Sequence, residues 1–229
     1  MNARFKSIAD HALLVSFADD ISDDAHDLVI ALDKAIAAYM PVGVTETVPA
    51  LVNLLVSFDP VLTDHSAVEA HVRQCLAVAE VQATQGAVRQ VNVCYEAPFA
   101  PDLEAVASSV GLSTDAVINA HLAATFDVLM YGFAPGYAYL SGAPEHIHVP
   151  RKQTPVRGVP AGSVIIAGAQ CLITTLTMPT GWSIIGRSPT PILTGDPKHP
   201  FLFDVGDRVS FQRIDLTSFE RLRREPSHG

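Results

Sequence analysis

The sequence predicts an α+β fold in two domains, and three observations carry that reading. Residues 1–95 alternate strand and helix patterns in the order β-α-β-β-α-β, the split βαβ or ferredoxin-like arrangement. From about residue 126 to 229 strands shorten and turn residues crowd in. Ten of the 16 prolines and nine of the 14 glycines lie between 132 and 200, which suits a closed or nearly closed β-barrel with long shaped loops. At 229 residues and 48% hydrophobic, the chain can bury a core in each half.

The elements follow in order. Residues 12–17 (ALLVSF) form a β-rich run. Ser22 and Asp23 can cap a helix in which Ala25, Leu28, Val29, Leu32 and Ile36 recur at helical spacing. Residues 44–48 and 51–58 read as strands, the second closed by Asp59-Pro60. Ser66 and Glu69 resemble a capping box ahead of a face made by Val68, Val72, Leu76 and Ala79. Residues 88–95 (VRQVNVCY) supply the fourth strand. Residues 96–125 carry two helical pieces, read as the passage between the domains. The first is closed by Gly111, and the second starts at Ser113 or Thr114 and runs toward His121. Beyond it, strands are expected at 126–131, 163–167, 172–177, 183–186 and 208–214.

Composition removes several function classes. Fifteen Lys and Arg against 24 Asp and Glu leave a net charge of −9, which opposes tracking a nucleic-acid backbone. No window approaches the ~20 apolar residues of a membrane span, and none near the N-terminus suits a signal peptide. Cys75, Cys94 and Cys171 are odd in number and widely spaced, so a reducing cytoplasm is the simplest setting. His146 and His148 form an HxH pair with no evident third ligand, and no metal is expected. GxGxxG, P-loop and GxSxG patterns are absent from the sequence.

Chemistry concentrates in a few segments. Residues 131–140 (YGFAPGYAYL) combine Gly132, Phe133, Pro135, Gly136 and Tyr137. Such a loop can aim backbone N–H groups at a ligand behind aromatic rings, or simply pack one barrel end. Residues 150–163 (PRKQTPVRGVPAGS) place Arg151, Lys152 and Arg157 on a proline-stiffened loop ending at Ser163. Arginines there suit bidentate carboxylate or phosphate binding; solvated loop charges are the plainer reading. His121 can serve as a general acid or base, or pack and cap a helix. Gln170 can offer its amide to an oxyanion or stabilise a turn. Trp182 suits core packing or a ligand face, and Arg187 is one more cation among turn residues.

Together these segments resemble the allophanate hydrolase subunit 1 family, also known as the B-type subunit of 5-oxoprolinase, which matches subdomain C/D of the urea carboxylase carboxyltransferase module. The resemblance rests on His121, GFAPGYAYL at 132–140, PRKQTPVRGVPAGSVIIAGAQ at 150–170, PTGWSIIGRSP at 179–189 and FLFDVGD at 201–207, followed by Val209 and Phe211. It implies a cyclophilin-like barrel after the N-terminal α+β domain, without implying prolyl isomerase activity. It also implies a subunit of a heteromeric, ATP-dependent amidohydrolase or carboxyltransferase acting on a small amide, lactam or urea-like substrate. The implied partners are an allophanate hydrolase subunit 2 or C-type 5-oxoprolinase subunit, and a LamB/YcsF-type subunit. ATP would act at the level of the complex, and biotin only through a partner. A Kip-type branch of the same family instead inhibits a sensor histidine kinase.

On this resemblance, Arg151 and Arg187 are expected to bind anionic groups. Gln170 and the amides of loop 132–137 would orient a carbonyl, and His121 would move or position a proton. Phe133, Tyr137, Arg157, Ser163 and Trp182 would complete the substrate site. The chain departs from the family pattern at three places. TPR becomes Thr154-Pro155-Val156, with Arg157 one residue on, where strand alternation would turn it to the opposite face. QTGIYP becomes Gln170-Cys171-Leu172-Ile173-Thr174-Thr175, and PGGW becomes Pro179-Thr180-Gly181-Trp182.

Overall fold

The computed structural model describes residues 3–79 and 86–224, which fall into two compact units, 1–84 and 85–229. The first unit holds β1 (Arg4–Ile8), β2 (Ala12–Ser16), α1 (Asp23–Ala38), β3 (Val44–Ala50), β4 (Asn53–Phe58) and α2 (His65–Val78). Its sheet is wholly antiparallel in the order β1-β2-β4-β3. Leu13 and Val15 alternate with Leu54 and Val56 on the covered face, and Val29, Leu32, Ile36, Val68 and Val72 close it from the helices. Ser22 caps α1 through Ala25 N at 3.4 Å. α2 is capped by Asp64, which accepts from Ala67 N at 2.9 Å, so the expected Ser66–Glu69 box falls inside the helix.

The fourth strand expected at 88–95 does not join this sheet. β1 takes the edge beside β2 instead. Its sequence, RFKSI, is mostly exposed and lacks the apolar alternation that would reveal it.

The second unit contains β5 (Val88–Cys94), α3 (Leu103–Val110), α4 (Thr114–Ala123), β6 (Phe126–Tyr131), β7 (Ala138–Ser141), β8 (Val156–Val159), β9 (Ser163–Ala167), β10 (Gln170–Ile173), β11 (Met178–Thr180), β12 (Ser183–Arg187), β13 (Arg208–Ile214) and α5 (Leu216–Arg224). Seven strands close a barrel in the order β10-β7-β6-β13-β5-β12-β9. β5 lies parallel to β13 over its whole length, and its Val91 and Val93 are fully buried in the barrel core. The 96–125 helices also belong here: Leu103, Val106, Val117 and Ile118 share that core. They cover the barrel; the expected role as a connection between domains is not what they perform. Gly111, at φ 70°, ends α3, and Ser113 caps α4.

β9 is buried on both faces. Val164 and Ile166 point into the barrel, while Ile165 and Ala167 join an outer cluster with Leu172, Met178, Ile184, Tyr137 and Trp182. This outer cluster, topped by the β8–β11 ribbon, floors a cavity on the outside of the barrel.

Candidate functional site

A cavity of about 810 Å³ opens beside the barrel, wholly within the second unit. Three segments wall it: Phe133, Tyr137 and Tyr139; then Arg151 to Arg157; then the turn from Pro179 to Trp182. Each is fixed locally. Gly136 adopts φ 69°, and Tyr137 N donates to Ala134 O at 3.0 Å, so the chain reverses before β7. Tyr137 and Tyr139, two residues apart in extended chain, therefore share one face. Trp182 N donates to Thr180 Oγ1 at 3.1 Å. Lys152 N donates to Gly181 O at 2.6 Å, which ties the arginine segment to the Trp182 turn. Thr180 is thus a turn anchor where the family pattern has glycine.

Aromatic rings run continuously along the wall. Centroids stand 5.4 Å apart for Phe133–Tyr137, 5.7 Å for Tyr137–Tyr139 and 6.2 Å for Tyr139–Trp182. The last two pairs are edge-to-face, the arrangement favoured by ring quadrupoles. Arg151 lies over Trp182, its guanidinium carbon 5.4 Å from the ring centre. Phe133 is 74% exposed and holds a left-handed φ of 70°, uncommon for any residue with a Cβ.

The cations divide into two kinds. Lys152 Nζ is 2.5 Å from Asp102 Oδ2, which also accepts from Ile184 N at 2.7 Å, so Lys152 braces the wall. Arg151 and Arg157 make no ion pair with any carboxylate among the described residues. Burial, with Tyr139 adding to it and Arg151 opposing it, pushes the Tyr137 phenol up to about 12, so it stays a protonated donor. Among the described residues no group of three His, Cys, Asp or Glu side chains is placed to hold a metal.

Arg157 lines the cavity, contrary to the expectation that a one-residue shift would turn it away. The reason is a β-bulge. Met178 pairs with Val159 and Thr180 with Val156, so three steps on β8 span two on β11. Gly158, at φ 67°, absorbs the extra residue and breaks simple alternation.

Other expected site residues lie elsewhere. His121 is fully buried in the barrel core. Its ring stacks on Phe211 at 4.4 Å, shares a hydrogen bond with Tyr95 Oη at 2.8 Å, and places Nε2 3.4 Å from Cys171 Sγ. Enclosure pushes its pKa down to about 3, so it is a neutral core residue without access to a cavity ligand. Gln170 opens β10 at the hairpin with Ala167 and does not line the cavity. Ser163 is buried, its Oγ donating to Pro160 O at 2.8 Å. Gly132, Pro135 and Gly136 shape the aromatic loop from behind. Three of that loop's amides, those of Gly132, Ala134 and Tyr137, are consumed by its own carbonyls, which leaves them unable to orient a substrate. Arg187 lines a different, smaller cavity. Sequence reasoning overlooked Tyr139, Thr154 and Thr180 as wall residues; only the i, i+2 spacing of Tyr137 and Tyr139 signalled one of them.

The fold and site define a two-unit α+β protein whose closed barrel carries a cationic, aromatic cavity. Residues 3–203 match the family described as carboxyltransferase domain, subdomain C and D, and the chain belongs to that family. It is 31% identical over 233 residues to the B subunit of 5-oxoprolinase from Bacillus subtilis (strain 168), covering 97% of both chains. It is 34% identical over 168 residues to the equally named protein from Haemophilus influenzae, covering 73% of this chain and 78% of that one. The solved structure of TTHA0988 superposes with a TM-score of 0.79 at 28% identity over 95% of this chain, which spans only 41% of TTHA0988. The Kluyveromyces lactis urea amidolyase shares the fold, with a TM-score of 0.79 at 16% identity over 96% of this chain and 15% of that one.

Proposed function

We propose that this chain is the B-type subunit of a heteromeric 5-oxoprolinase-type amidohydrolase, and that its cavity holds a small substrate bearing an amide or lactam and an anionic group. One observation carries the reading: Arg151 and Arg157 face one aromatic-walled cavity and lack a carboxylate partner among the described residues. A guanidinium that keeps its donors unpaired in a recess is suited to a ligand carboxylate or to a transferred carboxyl or phosphoryl group. The rings of Tyr139 and Trp182 offer apolar faces to a flat amide, and the Tyr137 hydroxyl can donate to its oxygen. The names of the relatives support the choice of 5-oxoproline as first substrate.

The chain has no P-loop, and the reading assigns ATP to the assembled complex with a C-type and a LamB/YcsF-type subunit in the cytoplasm. Co-expression with a C-type subunit, followed by an assay of ATP-dependent 5-oxoproline opening, tests it. A stable complex whose kcat/KM falls about 10–100-fold in Arg151→Ala is expected. Failure to associate, or an unaltered kcat/KM in that variant, overturns it.

A further inference from the structure

We propose that Arg187 forms a second anion site, under the C-terminal helix α5, for one small phosphate- or carboxylate-bearing ligand. This inference stands apart from the function proposed for the first cavity and uses none of its residues. A cavity of about 260 Å³ is lined by Gly162, Thr174, Arg187, Ser188 and Thr190 from the barrel side and by Phe219 and Arg223 from α5. That volume suits an anion of a few heavy atoms and not a nucleotide.

The site is built around the Arg187 fork. Its Nε donates to Ala161 O at 3.2 Å, which fixes the plane of the guanidinium and leaves the two terminal nitrogens as donors. The rings of Phe99 and Phe219 lie 5.5 and 5.9 Å from its central carbon and shield it. Arg187 makes no ion pair with a carboxylate among the described residues. Glu220 on α5 contributes favourably to it but is engaged by Arg223, 3.0 Å away. Burial, and after it the charge of Arg223, pulls the Arg187 pKa below its ordinary value. An anion in the recess would offset the burial and the Arg223 charge that act against the Arg187 guanidinium, beyond what Glu220 already supplies.

The rim is stiff and donor-rich. Ser188 N donates to Gly162 O at 2.7 Å, and any Cβ at Gly162 would sit 2.4 Å from Ser188 O, so the two strands meet at backbone distance. Pro189 and Pro191 restrict the segment that follows. Ser188 Oγ accepts from Thr190 N at 3.0 Å, which leaves its own proton available to a ligand. The loop behind the first cavity backs onto this one: Thr175 Oγ1 donates to Pro135 O at 2.7 Å, and a Cβ at Gly136 would meet Leu193 Cδ2 at 2.7 Å. Phe133 and Tyr137 therefore stand on a partition between the two cavities.

Calorimetric titration of the full chain with inorganic phosphate, and separately with malonate, at constant ionic strength tests the proposal. Saturable binding of at least one anion is expected to persist in Arg151→Ala, which disables the first cavity, and to weaken at least about tenfold when Arg187→Gln is added to that background. Binding of phosphate alone assigns a phosphoryl ligand, and binding of malonate alone assigns a carboxylate; each supports the site. If Arg187→Gln does not fold, Arg187→Lys keeps the charge without the planar fork, and at least about fivefold weaker binding is expected. Absence of saturable binding by either anion overturns the proposal. So does binding lost in Arg151→Ala and retained in either Arg187 variant.

Discussion

Arg151 and Trp182 face each other across 5.4 Å because a single backbone bond, Lys152 N to Gly181 O, clamps their two segments together. The contact puts the one tryptophan of the chain against a guanidinium expected to receive the substrate. Trp182 fluorescence should therefore report ligand binding, with a change in intensity or emission maximum that saturates with 5-oxoproline in the assembled complex. Arg151→Ala should blunt that change and weaken binding about 10–100-fold. An unchanged fluorescence titration in that variant would exclude Arg151 from the site.

Arg157 reaches the cavity only because Gly158 takes up a bulge. Gly158→Ala adds a methyl that meets no atom within 4 Å, so its penalty comes from the left-handed φ of 67°, about 1–2 kcal/mol. Ligand affinity should fall further than this loss of stability explains, as Arg157 is re-aimed. Arg157→Ala, at an exposed position, should weaken the ligand about tenfold with little change in melting temperature.

His121 links stability to acid. Its pKa falls from 6.5 unfolded to about 3 folded, because burial disfavours the charged ring. The unfolded chain thus binds the extra proton between those values. The contribution of neutral His121 is intact above about pH 6.5 and is lost as pH falls toward 3, amounting to about 2 kcal/mol by pH 5. His121→Gln should destabilise the chain near neutral pH by about 2 kcal/mol, with the gap to wild type closing on acidification. Urea unfolding of both proteins across that range measures it; a gap independent of pH counts against the enclosed, neutral ring.

Asp102 holds the helix α3 entrance, β12 and Lys152 at once. Asp102→Asn keeps an acceptor for Ile184 N but loses the charge on Lys152, at a cost of about 1 kcal/mol. Asp102→Ala loses both, about 2 kcal/mol. Thermal unfolding of the pair separates the hydrogen bond from the charge; no loss in Asp102→Asn would mean the ion pair contributes nothing, and equal losses would mean the same of the hydrogen bond to Ile184 N.

Much of the barrel was legible because its strands carry local signals. Residues 126–131, 163–167 and 208–214 appear as strands with the bounds read from apolar patterning. The short strands at 138–141, 156–159 and 178–180 were not, since three or four residues are too few to carry a measurable period. The cavity was legible as segments: Phe133, Tyr137, Arg151, Arg157 and Trp182 were all singled out, and all line it.

By itself, the sequence determined local facts: helix caps at Ser22 and Ser113, the stop at Gly111, the apolar runs, and loops dense in Arg, Gly and aromatic residues. Only the tertiary structure decided which of these meet. Strand 88–94 carries the same alternation whether it completes the first sheet or pairs with β13, and that choice depends on contacts more than a hundred residues away. His121 and Arg151 look equally catalytic in one dimension. Burial separates them, enclosing the His121 ring in the barrel core, where it stays neutral, while leaving Arg151 a face open to the cavity.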